Sequence, residues 1–282
     1  MKIVVTGGNG FIGSNLIRAL CARGHDVVSI DDLSTGKEIN EVRTASYLYE
    51  DIEKITYFEG SEVDVVFHLA ALARIRPSFK YPTEYFRVNV KGTEAVADWA
   101  KNYQVKMIYA GSSSVHNNPF TSPYATYKAL GENIVQLYRQ SYNLNAHIAR
   151  FYNVYGPLEI LEGEYASLLG IWRSMMKKGQ PLPIIGDGEQ VRDFTFVDDV
   201  VDGLLRIMDY EGGENNIWEL GTGHTYTVNE LASLFKDKYK KGTINLPDVP
   251  GNYRESYRMD NKAIDLLGWS PRNRIPEYIS SL

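Results

Sequence analysis

KIVVTGGNGFIGS, residues 2–14, is the stretch on which the fold turns. Its first five residues are rich in Val and Ile and read as a buried strand. Three glycines follow, Gly7, Gly10 and Gly13, at G-x-x-G-x-x-G spacing. Ile12, Leu16 and Leu20 then recur at i, i+4 and i+8, the period of one helix face. Without a Cβ, the glycines let the backbone turn tightly and approach a pyrophosphate, which rests on the N-terminal amides of the helix. A glycine-rich turn is common by itself; the strand before it and the helix after it make it specific.

The same alternation continues downstream. Asp26–Ile30, Val63–Leu69 and Val105–Ala110 read as further buried strands, with helical patterns between and after them, such as Leu130, Ile134, Leu137 and Tyr138. Strands alternating with helices predict an α/β fold with a doubly wound parallel (Rossmann) sheet. Asp31 lies 18 residues after Gly13, at the end of the second strand. A carboxylate there accepts hydrogen bonds from an adenosine ribose diol and repels a 2′-phosphate. No arginine adjoins Asp31 or Asp32, so the predicted cofactor is NAD rather than NADP. From about residue 155 the texture changes: Pro157, Pro181 and Pro183 break the chain into shorter pieces. Helical patterns return over Ala166–Lys178, Val197–Tyr210, Val228–Tyr239 and Asn261–Leu267. The division predicted is a dinucleotide-binding domain over 1–154 and a smaller, mainly substrate-binding α/β lobe over 155–282, with the chain free to cross between them.

Composition narrows the function classes. At 282 residues, 44% hydrophobic and 23% charged, the chain suits a globular protein whose core needs no disulfide or metal. Its single cysteine, Cys21, falls in a helical pattern and reads as a small core residue, so no metal cluster is expected. No signal-like or membrane-spanning apolar run is seen, which predicts a cytoplasmic location and no membrane partner. A net charge of −5 with no basic run argues against nucleic acid as the main partner. An anionic ligand must then be held by local arginines.

SPYATYK, residues 122–128, contains two tyrosines and a lysine. Tyr124 and Lys128 are four apart and share a helix face, whereas Tyr127 points about a third of a turn away. Together with TGGNGFIGS, DDLSTG (31–36), YEDI (49–52), HLAA (68–71) and NVKGT (89–93), this Tyr-x-x-x-Lys resembles the extended short-chain dehydrogenase/reductase family over nearly the whole chain. The likeness is greatest to that family's NAD-dependent nucleotide-sugar epimerases and dehydratases. The resemblance implies that Gly7, Gly10, Phe11, Ile12, Gly13, Asp31 and Asp32 bind NAD, joined by Asp51 and Ile52 at the adenine. It implies the same of Leu69, Ala70, Ala71 and Lys128 around the nicotinamide ribose. Tyr124 is then the catalytic phenol, its pKa lowered by the Lys128 ammonium. In AGSSSV (110–115) the resemblance selects Ser112 to share the proton transfer. Dehydratases of the family carry Asp–Glu where this chain has Ser113–Ser114. Decarboxylating relatives carry Glu at the second position, and 3,5-epimerising ones carry Cys. A site without that second acid or thiol suits removal and return of a hydride at one carbon, as in UDP-hexose 4-epimerases. Rival readings are another nucleotide-sugar reaction (dehydratase, reductase or 3,5-epimerase) and a non-catalytic NAD-binding sensor.

At the substrate end, the resemblance assigns Asn153, in RFYNVYGP, and Arg192, in GDGEQVRDFTFVDDV, to the diphosphate of a nucleotide-diphosphate sugar. Three features depart from the family. VPGNYRE (249–255) has Val249 and Asn252 where Arg and Asp are usual, leaving Arg254 as the candidate replacement. His116 stands where a tyrosine is customary, and the substrate lobe is compact. Arg74 and Arg76 in LARIRPS either reach the sugar or its phosphates or stay solvated. The helices over 83–101 and 122–142 correspond to the pair through which the family forms homodimers.

Overall fold

The opening stretch folds into β1 (Lys2–Thr6), a glycine turn and α1 (Phe11–Ala22). After β2 (Asp26–Ile30), a short β3 (Ser46–Leu48) and β4 (Val65–His68) come the helices α2 (Ile75–Lys80), α3 (Pro82–Phe86) and α4 (Gly92–Tyr103). Next are β5 (Lys106–Ser112), α5 (Pro123–Tyr142) and β6 (Ala146–Phe151). The rest comprises α6 (Leu168–Lys178), β7 (Leu182–Ile185), β8 (Val191–Asp193), α7 (Val197–Asp209), β9 (Ile217–Leu220), β10 (Thr225–Thr227) and α8 (Val228–Lys236), then β11 (Thr243–Leu246), β12 (Glu255–Ser256), α9 (Lys262–Leu267) and α10 (Ile275–Ser281). This computed structural model describes residues 1–213, 216–236 and 238–282.

Seven strands form one sheet in the order β3-β2-β1-β4-β5-β6-β9, every adjacent pair parallel. Side chains alternate across it. Ile3, Val5, Phe67 and Ile108 face Leu16, Leu20, Val200 and Leu204 of α1 and α7. Val4, Val66, Met107 and Tyr109 face Val96, Trp99 and Val135 of α4 and α5. Both faces are covered, which is why the strands read as unbroken apolar runs. Cys21 is half-buried against the first of these faces.

After residue 154 the chain crosses back to the sheet. β9 pairs with β6, and α7 packs on the sheet, although both come after residue 155. The smaller body is built on Trp172, Leu182, Ile184, Phe194, Leu231, Phe235 and Ile279, with Trp172 and Phe235 edge to face at 5.3 Å. The predicted helix over 83–101 runs on through a π turn, Arg87–Lys91, between α3 and α4. That turn aims Asn89 at the segment after β4, where it exchanges two hydrogen bonds with the Leu72 backbone, 2.8 and 2.9 Å. The helix predicted over Val228–Tyr239 ends at Lys236, and Asp237 lies outside the described residues. Among the described residues no helix is long and apolar enough to cross a membrane.

Candidate functional site

A cavity of about 800 Å³ opens where β1, β2, β4, β5 and β6 end, between the sheet and the smaller body. Its cofactor end is made by the glycine turn. Gly7 has φ +70°, and a Cβ there would lie 2.8 Å from the Ala70 backbone; one on Gly13 would lie 2.2 Å from the Gly7 carbonyl oxygen. Only glycine fits either position. Phe11, Ile12 and Gly13 border the cavity, and Gly10 caps α1 without any side-chain bond, so the first amides of the helix are left for a ligand. Across the turn, the Asp31 carboxylate accepts the amides of Asn9 (2.9 Å) and Leu33 (2.8 Å) and has no cationic partner among the described residues. Burial pushes its pKa up, against those two hydrogen bonds. Asp32 borders the cavity beside it. Asp51 caps the following 3-10 turn and is paired with Arg87 at 2.5 Å, so its carboxylate is already partly engaged. Ile52, Leu69, Ala70 and Ala71 complete the wall. An anion-accepting helix terminus, an unpaired carboxylate placed for a diol and apolar flanks fit a dinucleotide without a 2′-phosphate.

The candidate catalytic residues meet at the far end of that cleft. Ser122 caps α5 by accepting the Ala125 amide (3.2 Å), and Pro123 occupies the first helical position, so Tyr124 and Lys128 fall on one face one turn apart. The Tyr124 hydroxyl makes a long 3.4 Å contact with Ser112 Oγ, which also accepts from Ser114 N (3.2 Å) and Ser114 Oγ (2.9 Å). Tyr127 instead sits edge-on to Phe86 at 5.5 Å, packed against neighbouring side chains. Lys128 is buried; its Nζ donates to the Ala110 carbonyl at 2.5 Å and lies 4.4 Å over the Tyr109 ring. Burial lowers its pKa to about 8. The expected acidification of Tyr124 by Lys128 is not what the protein alone produces. Burial pushes the phenol up, opposed by the Ser112 contact and by Arg74, while the ammonium is drawn to Ala110 and Tyr109.

At the substrate end the structure separates the candidates. Asn153 borders the cavity with φ +28°, tied through Nδ2 to the Asp193 carbonyl at 2.8 Å. Arg192 is buried, borders the cavity and has no carboxylate partner among the described residues. The Tyr253 carbonyl (2.6 Å) and Asn252 Oδ1 (3.2 Å) hold its guanidinium, which stacks on the Tyr253 ring at 4.6 Å. Arg254 is not brought to the cavity. It is exposed and forks onto Asp187 with two 2.8 Å bonds, so the departed VPGNYRE motif contributes Asn252 and Tyr253 rather than its arginine. A search for charge passes over Tyr253; an aromatic two residues before the end of that motif was the available signal. His116 turns away from the cleft to Glu219 (2.8 Å), which also pairs with Arg150 (2.9 Å). Arg74 and Arg76 both border the cavity.

Comparison with known proteins agrees with this geometry. Residues 3–221 match the profile of the NAD dependent epimerase/dehydratase family. A UDP-glucose 4-epimerase of Mycolicibacterium smegmatis is 34% identical over 316 residues, spanning 99% of this chain and 96% of its own. UDP-glucuronic acid decarboxylase 2 of Arabidopsis thaliana is 29% identical over 299 residues, 96% of this chain and 65% of its own. Among solved structures, the UDP-glucose 4-epimerase of Thermotoga maritima with UDP-glucose superposes with a TM-score of 0.91 at 33% identity, covering 99% of this chain and 96% of that one. With the glycine turn and its unpaired Asp31 on one side of the cleft and these relatives on the other, the cofactor is NAD and the chain belongs to the NAD dependent epimerase/dehydratase family.

Proposed function

We propose that this chain is a nucleotide-sugar 4-epimerase acting on a UDP-hexose. The carrying observation is the chemistry missing beside Tyr124 and Ser112. Ser114 is fully buried and bonded to Ser112, and Ser113 is bonded to Ser256 at 2.9 Å. Among the described residues, the acids bordering the cavity are Asp31, Asp32, Glu50 and Asp51 at the cofactor end, and Glu164, which is paired with Lys80 at 2.7 Å. Elimination of water requires a second acid/base pair at the reacting carbons; reversible oxidation at C4 requires one. NAD held at the glycine turn would supply reversible hydride chemistry. Tyr124 takes the proton of the 4-hydroxyl and restores it. Ser112, whose oxygen already accepts two hydrogen bonds from Ser114, turns its own hydrogen toward the sugar oxygen. Arg192 and Asn153 hold the diphosphate, about which the 4-keto sugar turns to present its other face.

The test is incubation of the NAD-bound protein with UDP-, dTDP- and GDP-sugars in deuterated water, read by chromatography and mass spectrometry. A product isomer of unchanged mass is expected. Deuterium uptake, or loss of water or carbon dioxide, would replace 4-epimerisation by enolisation, elimination or decarboxylation.

We also propose that two copies pair through α3–α4 and α5. Leu130 and Leu137 lie seven residues apart on α5 and are 37% and 52% exposed, forming an apolar stripe that the described residues leave uncovered. Sedimentation equilibrium should return twice the chain mass of 31.9 kDa; the chain mass itself would end this reading.

A further inference from the structure

Arg74 is a cation of the cleft that has no carboxylate partner among the described residues. It is half-buried and borders the cavity. Among the described residues its guanidinium makes one hydrogen bond, Nε to the Tyr165 carbonyl at 3.0 Å, so neither terminal nitrogen has a protein partner. No described carboxylate lies in ion-pair range of it. Glu159, the acid whose charge acts on it, is spent on Arg173 (2.9 Å) and Tyr278 (2.6 Å). Other cations bordering the cavity differ: Lys80 is paired with Glu164, Arg192 is wrapped by carbonyls and Asn252, and Arg76 is exposed to solvent rather than withdrawn from it. A guanidinium withdrawn from water is costly without an anion, and two free terminal nitrogens match the two oxygens of a carboxylate.

Its backbone is held as firmly as its charge is left open. Arg74 has φ +84°, a conformation that L residues rarely adopt and that persists where surroundings over-determine it. The Tyr85 hydroxyl donates to the carbonyls of Ala73 (2.5 Å) and Arg74 (3.1 Å). Tyr85 also lies edge-on to the Tyr124 ring, 6.5 Å between centroids. Tyr165, which holds Nε, packs with Tyr124 against the same small cluster of Leu72, Tyr85 and Val88. Arg74 is thus fixed at the reacting end of the cleft, away from the Asp31 end.

Resting on the nucleotide-sugar reading above, we infer that the sugar carries a carboxylate and that Arg74 receives it. UDP-glucuronic acid bears such a group at C6, and UDP-N-acetylmuramic acid bears it on a lactyl ether at C3. These two, beside neutral UDP-glucose and UDP-N-acetylglucosamine, are the arms of the test. Affinity is measured by calorimetry on the NAD-bound protein, and kcat/KM by product analysis. The native protein should favour one acidic sugar over its neutral counterpart by tenfold or more, and the arm that wins locates the carboxylate. In Arg74→Gln the acid-to-neutral ratio should fall about 100-fold, with Arg74→Lys between, because an ammonium keeps the charge and loses the fork. Arg192→Gln should weaken acidic and neutral sugars alike. Equal losses for both sugar classes in Arg74→Gln would make Arg74 a second diphosphate ligand and overturn the inference, as would a native preference for neutral hexoses. An Arg74-dependent acidic sugar that leaves as a product lacking carbon dioxide would uphold the inference and sink 4-epimerisation. If no nucleotide sugar binds, both fail. Thermal midpoints of the variants, with Tyr85→Phe alongside, separate lost folding from lost recognition.

Discussion

Tyr124→Phe is expected to lower kcat about a thousandfold while NAD content, KM and the thermal midpoint stay near those of the native protein. Among the described residues the phenol oxygen makes a single long contact, 3.4 Å to Ser112, so its removal orphans no buried donor there. The ring keeps its edge contact with Tyr85 and its packing on Leu72 and Val88. The loss should therefore be almost entirely in the chemical step. Its pH dependence follows from the direction of the phenol's shift. Burial raises the pKa, so the phenolate that the proposed 4-epimerisation calls for is the minor form at neutrality and grows as pH rises. The native kcat should climb with pH above 7, and that limb should vanish in Tyr124→Phe. A variant retaining more than a tenth of native kcat, or an unchanged limb, would move the proton transfer to another group.

Much of this site is legible in the chain because its parts are local. The glycine turn, the strand before it and Asp31 lie within one βαβ unit, and Tyr124 and Lys128 within one helical turn, so spacing alone aligns them. The strands that read as apolar runs are those buried on both faces. β6 escapes that reading because AHIARF carries His147 and Arg150 in the middle of a central strand. Both are matched only through distant residues: His147 by the Trp218 indole at 3.2 Å, and Arg150 by Glu132 of α5 (2.7 Å) and Glu219 of β9 (2.9 Å). β9 is missed for the same reason, since its Glu219 is buried by that pairing and by Tyr152. The network couples the helix bearing Tyr124 to two strands and, through His116, to the turn after Ser112. Local periodicity cannot register such compensation. Nor can it show that Arg254 is drawn off by Asp187 while Tyr253 turns under Arg192, because these partners are 67 and 61 residues apart.

Lys128→Met should produce a protein that is more stable without its cofactor and nearly inactive. The Lys128 pKa falls from 10.5 to about 8 because the ammonium is buried, and at 3% exposure this shift is little screened. A depression of that size corresponds to roughly 3 kcal/mol of disfavoured charge at pH 7. Methionine fills similar space without the charge but leaves the Ala110 carbonyl without its 2.5 Å donor, a loss of about 1 to 2 kcal/mol. A net gain of roughly 1 to 2 kcal/mol remains, read as a higher denaturation midpoint. The sign over pH is fixed by linkage. Between about 8 and 10.5 the unfolded chain holds this proton and the folded one has released it, so native stability rises through that window. Below it, both states are protonated and the penalty is present in full. The advantage of Lys128→Met should thus be greatest at neutral pH and shrink as pH passes 8, while kcat falls about 100-fold near pH 7, where native Lys128 carries its charge, and by less above 8, where the native group has itself released its proton. A variant less stable than the native protein at pH 7, with a difference flat in pH, would mean that the Tyr109 ring and the Ala110 carbonyl fully compensate the buried charge. The expected result instead makes Lys128 a residue held against stability, a cost the cofactor-free fold carries for an ammonium at the end of the cleft where Tyr124 and Ser112 meet.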